Sequence, residues 1–545
     1  MMDFDFVIIG SGFGGAVSGM RLAQKGYTVC ILEEGKRFRD EDFAKTNWNV
    51  WRYFWAPIVK CFGIQRLTFF PNIMILSGAG VGGGSLVYAN TLLKPTDTFF
   101  KAPQWSHLSD WKNELDPHYE IAKNMLGAVP NTVQHDADFV LRDCAREMNK
   151  ENTFYPTQVG VFFGEPEKTV SDPYFDGAGP DRTGCHHCGA CMVGCRYNAK
   201  NTLEKNYLYF AEKFGADISA QTRVTDIRPL TDDGYELLVE KSTSWFVKKR
   251  RTIRARKVIV AAGVIGTQKL LLRCKMVTKS LPLLSNRLGQ EVRTNGESLL
   301  GVSELNSKKK DFSKGIAISS GFWPNEDTHI EGVRYPKGSS SLRFLTMPMA
   351  SDYRHGIRML KSLWRLVSDP IQGIKWFFNM RWAESTLILL FMQTIESKIH
   401  FVLKRRLFAP GSYKLTTMQD ESSEYRVPSY FPLANKAAEI IGKQIGAYPQ
   451  NTVHEVLLGI PSTAHILGGC TMGANAQSGV VDKNHEVFGY KGLYVCDGSV
   501  ISANLGVNPS LTISALAERF GALWPLSPRI TSEEFAKRTI KFRRT

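Results

Sequence analysis

The first 35 residues alternate between apolar runs and a glycine-rich turn in the order of a strand, a helix and a second strand. Phe6–Ile9 is an unbroken apolar run, Ala16–Lys25 carries apolar residues at helical spacing up to Gly26, and Tyr27–Leu32 is again mostly apolar. Short apolar runs bounded by turns predict buried strands, and a three- to four-residue spacing predicts a helix. The pattern therefore predicts a βαβ unit.

The turn of this unit carries a motif that binds dinucleotides. Gly10, Gly12 and Gly15 have the G-x-G-x-x-G spacing directly after the first strand. The first glycine makes the turn, the second lets backbone approach a pyrophosphate, and the third lets helix and strand pack closely. Glu33 follows about twenty residues on, where a carboxylate binds ribose hydroxyls. We predict FAD rather than NAD, because the unit starts the chain and no second such motif with a trailing acid follows.

Three more patterns predict the surroundings of the dinucleotide and of a substrate. Ile75–Asn90 is a second glycine-rich stretch, which can lie against a flat ring. Arg223–Ile227 predicts a strand, and Lys257–Leu271 predicts a strand, a small-residue turn and a helix. Leu387–Ile395 is too short to span a bilayer and predicts a buried strand, which suits an apolar substrate.

Length and composition indicate a multidomain globular protein. The chain has 545 residues, 43% hydrophobic and 22% charged, which is too long for one ordinary core. The N-terminus has no basic leader before its first strand, and no stretch is apolar enough to span a membrane, so we expect a cytoplasmic protein. Oligomeric state leaves no trace in the sequence.

The charge leaves two interpretations open. A net charge of +16 fits either a solvated basic surface or attraction to anionic phospholipid, and no nucleic-acid-binding motif is present. Arg354–Trp382 interleaves basic residues with tryptophan and phenylalanine, which is typical of a segment lying at a membrane interface. The other interpretation of this segment is an ordinary helix that buries its aromatic stripe.

Four cysteines fall within eleven residues. Cys185, Cys188, Cys191 and Cys195 have the spacing C-x2-C-x2-C-x3-C, which matches bacterial ferredoxins except that Arg196 follows where proline is usual. An iron–sulfur cluster is one hypothesis. Zinc fits less well because it prefers two separated pairs of ligands, and disulfides at such close spacing would be strained. The segment could also be a plain turn that covers the cofactor.

The C-terminal motifs bring in a family resemblance. Ala464–Gly473 and Gly492–Arg519, with the N-terminal unit, resemble glucose–methanol–choline (GMC) oxidoreductases; Trp105–Trp111 and the cysteine segment fit that family's bacterial cholesterol oxidase branch. The resemblance implies an α/β fold: a Rossmann-like FAD-binding domain with a sheet-based α+β substrate domain. The predicted segments are 1–95, 200–300 and 458–528 for FAD binding, 96–199 (with the cysteines at 185–195) and 301–457 for the substrate domain, and 529–545 as a basic tail.

The resemblance also implies roles for particular residues. His465 matches the active-site histidine and Asn508 the second active-site polar residue, although either could be purely structural, as a core histidine or a helix N-cap. Glu384 is the candidate for moving a proton during double-bond isomerisation, with Glu396 as its competitor. The predicted cofactor-binding residues are Gly10, Gly12, Gly15, Glu33, Gly82, Gly83, Ser85, Asn90, Val224, Ala262, Gly263, Asp497, Gly498, Asn508 and Pro509.

The chemistry of these residues can be stated from first principles. A neutral histidine can take the hydroxyl proton of an alcohol near physiological pH while a flavin takes the hydride. Asn508 as N-cap and Pro509 as first helical residue predict a helix whose N-terminus faces the flavin and stabilises negative charge there.

We expect oxidation of a 3β-hydroxysteroid to its ketone, with a shift of the double bond from the 5,6 to the 4,5 position and with O2 as acceptor, giving H2O2. One alternative is an FAD and iron–sulfur dehydrogenase that acts on another apolar alcohol and uses an external acceptor. Another is a flavin-bearing lipid-binding protein with little catalysis.

Overall fold

Two seven-stranded sheets organise the chain, whose computed structural model describes residues 2–244, 249–306, 310–406, 412–419 and 425–543. The strands are β1 (Phe4–Ile9), β2 (Val29–Leu32), β3 (Trp55–Ala56), β4 (Cys61–Phe62), β5 (Gln65–Phe69), β6 (Met74–Gly78), β7 (Ala128–Pro130), β8 (Tyr155–Pro156), β9 (Gln158–Gly160), β10 (Thr169–Val170), β11 (Arg182–Thr183), β12 (Asp217–Ser219), β13 (Thr222–Pro229), β14 (Tyr235–Lys241), β15 (Arg250–Val260), β16 (Ser298–Ser303), β17 (Ile318–Asn325), β18 (Thr328–Val333), β19 (Thr346–Pro348), β20 (Thr386–Gln393), β21 (Ile399–Arg405), β22 (Tyr413–Gln419), β23 (Tyr448–Thr452), β24 (Ser462–Thr463) and β25 (Leu493–Val495). The helices are α1 (Phe13–Gln24), α2 (Val50–Tyr53), α3 (Asp97–Phe100), α4 (Trp111–Leu126), α5 (Asp136–Glu147), α6 (Tyr207–Lys213), α7 (Gly263–Met276), α8 (His355–Ser368), α9 (Pro370–Phe377), α10 (Trp382–Ser385), α11 (Pro432–Ile445), α12 (Val453–Leu457), α13 (Ser510–Ala522) and α14 (Ser532–Lys537).

The first sheet is the predicted dinucleotide-binding sheet. Its order is β12-β2-β1-β15-β14-β13, and β25 also pairs with β15. Pairing is parallel across β12, β2, β1, β15 and β25, whereas β13 and β14 add an antiparallel meander. Helix α1 packs against α13 and α6, which covers β1 and explains why that strand is apolar along nearly its whole length.

The second sheet is antiparallel and has two different faces. Its order is β19-β23-β16-β20-β18-β17-β8. Along β20, Leu387, Leu389 and Phe391 pack into a core with α5 and α11, while Ile388 and Leu390 belong to the core on the opposite face. Because strand side chains alternate between faces, one face of the sheet is covered by helices and the other faces the first domain.

Several element boundaries differ from those predicted. Strand β2 begins at Val29 rather than Tyr27, and the apolar strand is Thr386–Gln393 rather than Leu387–Ile395. Helix α13 begins at Ser510, with Pro509 rather than Asn508 as its N-cap. Asn508 therefore does not serve as the cap, and its side chain has another partner, described below.

The strands of each sheet come from separate parts of the chain. The first sheet uses residues 4–32, 217–260 and 493–495, and the second uses 155–156 and 298–452. The C-terminal segment packs back against the chain: Arg529 forms an ion pair with Asp5 of β1, and the Arg543 amide donates to the Tyr174 carbonyl at 2.9 Å. The last two residues of the predicted basic tail lie outside the described residues. Within the described part of the chain, the helices are all too short or too polar to cross a bilayer.

Candidate active site

A large cavity lies between the two sheets. Its volume is about 850 Å³, and its walls carry residues from both domains. One end is lined by the glycine-rich turn after β1, and the other end by apolar side chains of the second sheet. A cavity of this size, with an apolar end and a few polar groups, is typical of small-molecule binding sites.

The dinucleotide end fits the pyrophosphate and ribose of FAD. Gly10 has φ of +106°, and a Cβ there would meet the Ala261 carbonyl oxygen at 2.2 Å, so glycine is required at the turn. A Cβ at Gly15 would meet the Gly10 oxygen at 2.0 Å, which is the close packing expected of the third glycine. At Gly12 a Cβ would meet nothing within 4 Å, because this residue faces the cavity.

Glu33 lies at the edge of this end of the cavity. Its carboxylate accepts hydrogen bonds from the Ser11 hydroxyl at 2.7 Å and from the Gly35 amide at 2.8 Å, which fix its orientation. Burial raises the pKa of Glu33 above its usual range. A buried carboxylate gains from additional donors, and ribose hydroxyls would supply them. Glu33 and the glycines of the turn therefore fit the ribose and the pyrophosphate of FAD.

The other predicted cofactor residues divide into two sets. The cavity wall includes Gly83, Val224, Ala262, Gly263, Asp497, Gly498, Asn508 and Pro509. Gly82, Ser85 and Asn90 lie behind it and shape the loop instead: the Ser85 hydroxyl donates to the Gly82 carbonyl at 2.7 Å and accepts from the Leu203 amide at 3.0 Å.

His465 and Glu297 form a pair in the middle of the cavity. The Nδ1 atom of His465 lies 2.7 Å from Oε1 of Glu297. The other oxygen of Glu297 accepts from the amides of Ala464 at 2.9 Å and His465 at 3.2 Å, and from the Thr463 hydroxyl. Contact through Nδ1 leaves Nε2 of the ring for a ligand in the cavity.

The carboxylate determines the basicity of the imidazole. Burial alone would lower the pKa of His465, but the charge and hydrogen bond of Glu297 outweigh that effect and raise the pKa above its ordinary value of 6.5. The pair is thus arranged to accept and hold a proton. Glu297 was not predicted, since it lies 168 residues before His465 in the sequence.

Asn508 contacts a second buried carboxyl group. Its amide nitrogen donates to Oε2 of Glu331 at 3.2 Å. Glu331 lies on β18, on the same face as Val333, and its register partner on β20 is Leu390. Val333 and Leu390 both line the cavity, so Glu331 belongs to the face that looks toward it. Burial raises the pKa of Glu331 to about 8.

The structure does not bring Glu384 to this site. Glu384 is buried in α10, where its carboxylate accepts from the Gly338 amide at 3.4 Å, and it does not line the cavity. The competing candidate, Glu396, pairs with Arg293 at 2.6 Å and is 44% exposed. Glu331, by contrast, contacts Asn508, which does line the cavity.

The apolar end of the cavity is lined by side chains from both domains. They include Tyr53, Leu67, Met74, Val87, Met192, Leu299, Ile318, Val333, Tyr335, Leu342, Trp382, Ile388 and Leu390. His465, Glu297 and Asn508 lie on the wall of the same cavity. A flat apolar molecule with one hydroxyl group can place its ring system against this surface and its hydroxyl toward the histidine.

The four clustered cysteines surround a second, much smaller cavity. Cys185, Cys188, Cys191 and Cys195 all line it, and all ten cysteines of the chain are free thiols. Among the described residues, no group of His, Cys, Asp or Glu side chains converges closely enough to hold a single metal ion. The disulfide interpretation of this segment therefore does not apply to the structure.

A dinucleotide-binding sheet joined to a cavity with a histidine–carboxylate pair defines a flavin-dependent alcohol oxidoreductase. Comparisons with known proteins agree with this class. Sequence profiles of the GMC oxidoreductase family match residues 177–291 and 427–517. The chain is 44% identical to a cholesterol oxidase of Acinetobacter baumannii, over 98% of this chain and 97% of that protein. It is 45% identical to a cholesterol oxidase of Mycobacterium tuberculosis (strain ATCC 25618 / H37Rv), over 96% and 91% of the two chains.

More distant matches agree on the fold. A long-chain-alcohol oxidase of Arabidopsis thaliana is 23% identical, over 94% of this chain and 66% of that one. The crystal structure of pyridoxine 4-oxidase from Mesorbium loti superposes with a TM-score of 0.62 at 14% identity, covering 96% and 99% of the two chains. The chain belongs to the GMC oxidoreductase family and is an FAD-dependent alcohol oxidoreductase.

Proposed function

We propose that this enzyme oxidises the hydroxyl group of a 3β-hydroxysteroid, such as cholesterol, to the ketone, with O2 as acceptor and H2O2 as second product. The observation that carries the proposal is the His465–Glu297 pair at 2.7 Å on the wall of a cavity whose far end is apolar. Similarity to the two cholesterol oxidases supports the sterol as substrate. The iron–sulfur dehydrogenase alternative has no comparable support among the relatives, and a binding protein would not need the pair.

The proton of the substrate hydroxyl passes to His465. With Nδ1 held by Glu297, the hydroxyl faces Nε2, and the carboxylate stabilises the imidazolium that forms. Bound FAD would supply the acceptor for the hydride that leaves the carbon bearing this hydroxyl. The turn before α13 provides Asn508, Pro509 and Ser510 to the cavity wall, and the positive end of this helix stabilises negative charge near it.

Glu331 is the residue we assign to double-bond isomerisation. The reaction needs a carboxylate that removes a proton from one ring carbon and returns it to another two bonds away. Glu331 is buried beside Asn508 and its pKa is raised to about 8, so it can exchange protons near neutral pH.

A peroxide assay over a panel of alcohols tests the substrate. The purified enzyme is given cholesterol, a long-chain primary alcohol, and glucose, each in matched detergent, and H2O2 is measured. We expect kcat/KM for cholesterol to exceed that for the other alcohols by roughly two orders of magnitude or more, because the ring system fills the apolar end. Faster turnover of the long-chain alcohol would overturn the sterol assignment but leave alcohol oxidation standing.

We further propose that α8 and α9 contact a membrane surface. Both helices expose large apolar side chains, called here the exposed stripe, in which Trp364, Ile371 and Phe378 are 66–67% exposed. The remaining members of the stripe are Leu360, Val367 and Ile374. The sequence interpretation in which this segment buries its aromatic stripe is therefore wrong for most of these side chains; Trp376 and Trp382 are the buried ones.

Charge and position support a phospholipid surface. Arg354, Lys361, Arg365 and Lys375 on the same two helices are exposed, which suits anionic headgroups. The indole of Trp376 donates to the Thr346 hydroxyl at 3.1 Å, and Thr346 lines the large cavity. The exposed stripe thus lies directly outside the cavity wall, where a sterol would leave a bilayer.

Vesicle flotation tests this contact. We expect the enzyme to float with vesicles that contain phosphatidylserine, and the double variant Trp364→Ser, Ile371→Ser to lose roughly tenfold or more in partition coefficient. Leu283→Ser, at a residue 69% exposed in a different part of the surface, is the matched control. Equal flotation of the three proteins would contradict the proposal, and the activity on detergent-dispersed sterol should stay unchanged in all of them.

A further inference from the structure

We propose that Cys185, Cys188, Cys191 and Cys195 bind an iron–sulfur cluster. All four line one small cavity, together with His186 and Lys200. The proposal is independent of the sterol assignment, because nothing in the alcohol chemistry described above requires these thiols.

The loop backbone wraps around the cavity and is fixed in place. Gly189 has φ of +68° and Gly194 has φ of +110°, conformations that favour glycine. A Cβ at Gly189 would meet the Ser313 carbonyl oxygen at 2.5 Å, so the turn also packs tightly. The Gly189 amide donates to the Gly315 carbonyl at 2.7 Å, and the Gly315 amide donates to the His187 carbonyl at 2.8 Å. The four sulfur atoms are therefore held by a rigid frame.

Backbone N–H groups face three of the four sulfur atoms. The His187 amide donates to Sγ of Cys185 at 3.4 Å. The Ala190 amide faces Cys188, and the Ala317 amide faces Cys191. Amide donors aimed at sulfur stabilise thiolate ligands and are one of the means by which proteins tune iron–sulfur clusters.

A buried lysine lies beside the cysteines. Lys200 is 2% exposed and lines the small cavity. Its ammonium group donates to the carbonyls of Leu86 at 2.9 Å and Cys191 at 2.7 Å, and among the described residues no carboxylate forms an ion pair with it. A buried positive charge is costly unless an anion compensates it, and the thiolates of a cluster would supply that negative charge.

The geometry favours a cluster over the alternatives. All four thiols are free, so the loop is not closed by disulfides. The described side chains do not converge on a point as a single zinc ion requires, whereas the ligands of a multi-iron cluster stand apart around it. A plain turn explains the glycines but not four sulfur atoms around one cavity with a buried lysine.

The site adjoins the flavin cavity. Cys191 lines the small cavity, and its neighbour Met192 lines the large one. Lys200 also connects the two cavities. Its side-chain nitrogen donates a hydrogen bond to the carbonyl of Leu86, the last residue of the turn Gly83–Leu86 in the glycine-rich loop. A cluster held here would lie one layer of residues behind the wall of the flavin site.

The experiment is metal analysis of the full-length enzyme purified without oxygen. We expect about two to four iron atoms and a similar amount of acid-labile sulfide per FAD, with an electron paramagnetic resonance signal of an iron–sulfur cluster in the oxidised or the dithionite-reduced protein. Cys191→Ala should lose the iron and the signal. Cys144→Ala, at a buried cysteine of α5 far along the chain, should keep both and is the matched control.

Iron and sulfide analysis of the wild-type enzyme tests the proposal even if the Cys191→Ala variant fails to fold. FAD is quantified in the same samples, so loss of the cluster is distinguished from loss of the flavin site. Iron-free, sulfide-free wild-type protein that also takes up none on anaerobic incubation with ferrous iron and sulfide would overturn the proposal, as would stoichiometric zinc in place of iron.

Discussion

Among single residues, we expect the imidazole of His465 to matter most for catalysis. We predict that His465→Asn lowers kcat for sterol oxidation by roughly two to four orders of magnitude, because the proton acceptor is lost. FAD content and the thermal unfolding midpoint should change little, since the ring contacts the cavity rather than the cofactor turn. His107→Asn, at an exposed histidine, is the control. Near-normal turnover by the His465 variant would show that another group takes the proton.

Glu297 is expected to act through His465, as a positioning residue. In Glu297→Gln the carboxylate that raises the pKa of His465 is gone, so that pKa should fall. Catalysis requires the neutral imidazole, and the acidic limb of the pH profile of kcat/KM should therefore move to lower pH while the maximum rate decreases. A lower rate with an unchanged acidic limb of the pH profile would mean that Glu297 has only a structural role.

Glu331 should make the isomerisation dependent on pH. Its pKa is raised from 4.5 to about 8, so below pH 8 the carboxyl is mostly protonated and cannot act as a base. We predict that the ratio of isomerised to non-isomerised ketone increases as the pH rises through about 8, and that Glu331→Gln yields the non-isomerised ketone at every pH. Glu384→Gln, at a buried carboxyl that does not line the cavity, should leave the product ratio unchanged. Chromatography of the products at a series of pH values measures this ratio.

These residues show what sequence alone could and could not reveal. His465, Asn508 and the glycines of the first turn belong to contiguous motifs, so they could be named before the fold was known. Glu297 and Glu331 carry no local signal: one precedes β16, the other lies within β18, and only the pairing of β16, β20 and β18 brings them to the cavity. The distance of Glu384 from the cavity wall could not be read from the sequence for the same reason, since strand register is set by long-range packing.

At the scale of elements, the turn between β1 and α1 determines cofactor binding. We predict that Gly12→Ala reduces bound FAD by tenfold or more, because its Cβ would enter the space through which backbone approaches the pyrophosphate. The apoprotein should still fold, since that Cβ meets no protein atom within 4 Å. Gly356→Ala, in α8, also meets no atom within 4 Å and should keep its FAD. Full flavin occupancy of the Gly12 variant would place the dinucleotide elsewhere.

Helix α13 shows how a local motif can have two interpretations. The sequence suggested Asn508 as the N-cap of α13, and the structure instead gives that position to Pro509. The Asn508 side chain is thereby free to contact Glu331 on the other sheet. Capping preferences describe a helix on its own, and here a contact between domains determines where the side chain goes.

At the scale of the whole molecule, function depends on the space between two sheets of different kinds. The mostly parallel sheet presents the glycine turn at its edge, and the antiparallel sheet presents an apolar face to the cavity. The first sheet could be predicted from periodicity and motif. The second could be predicted only as a class, because its strands are far apart in the sequence and their order follows from packing rather than from local pattern.

The measurement that tests this account most directly is the absorbance spectrum of the purified enzyme, recorded without oxygen before and after cholesterol is added. The account predicts a yellow protein whose flavin band bleaches on addition of the sterol and returns when air is admitted, with H2O2 formed in proportion. A protein that holds flavin, bleaches with dithionite and yet shows no response to any sterol would contradict it.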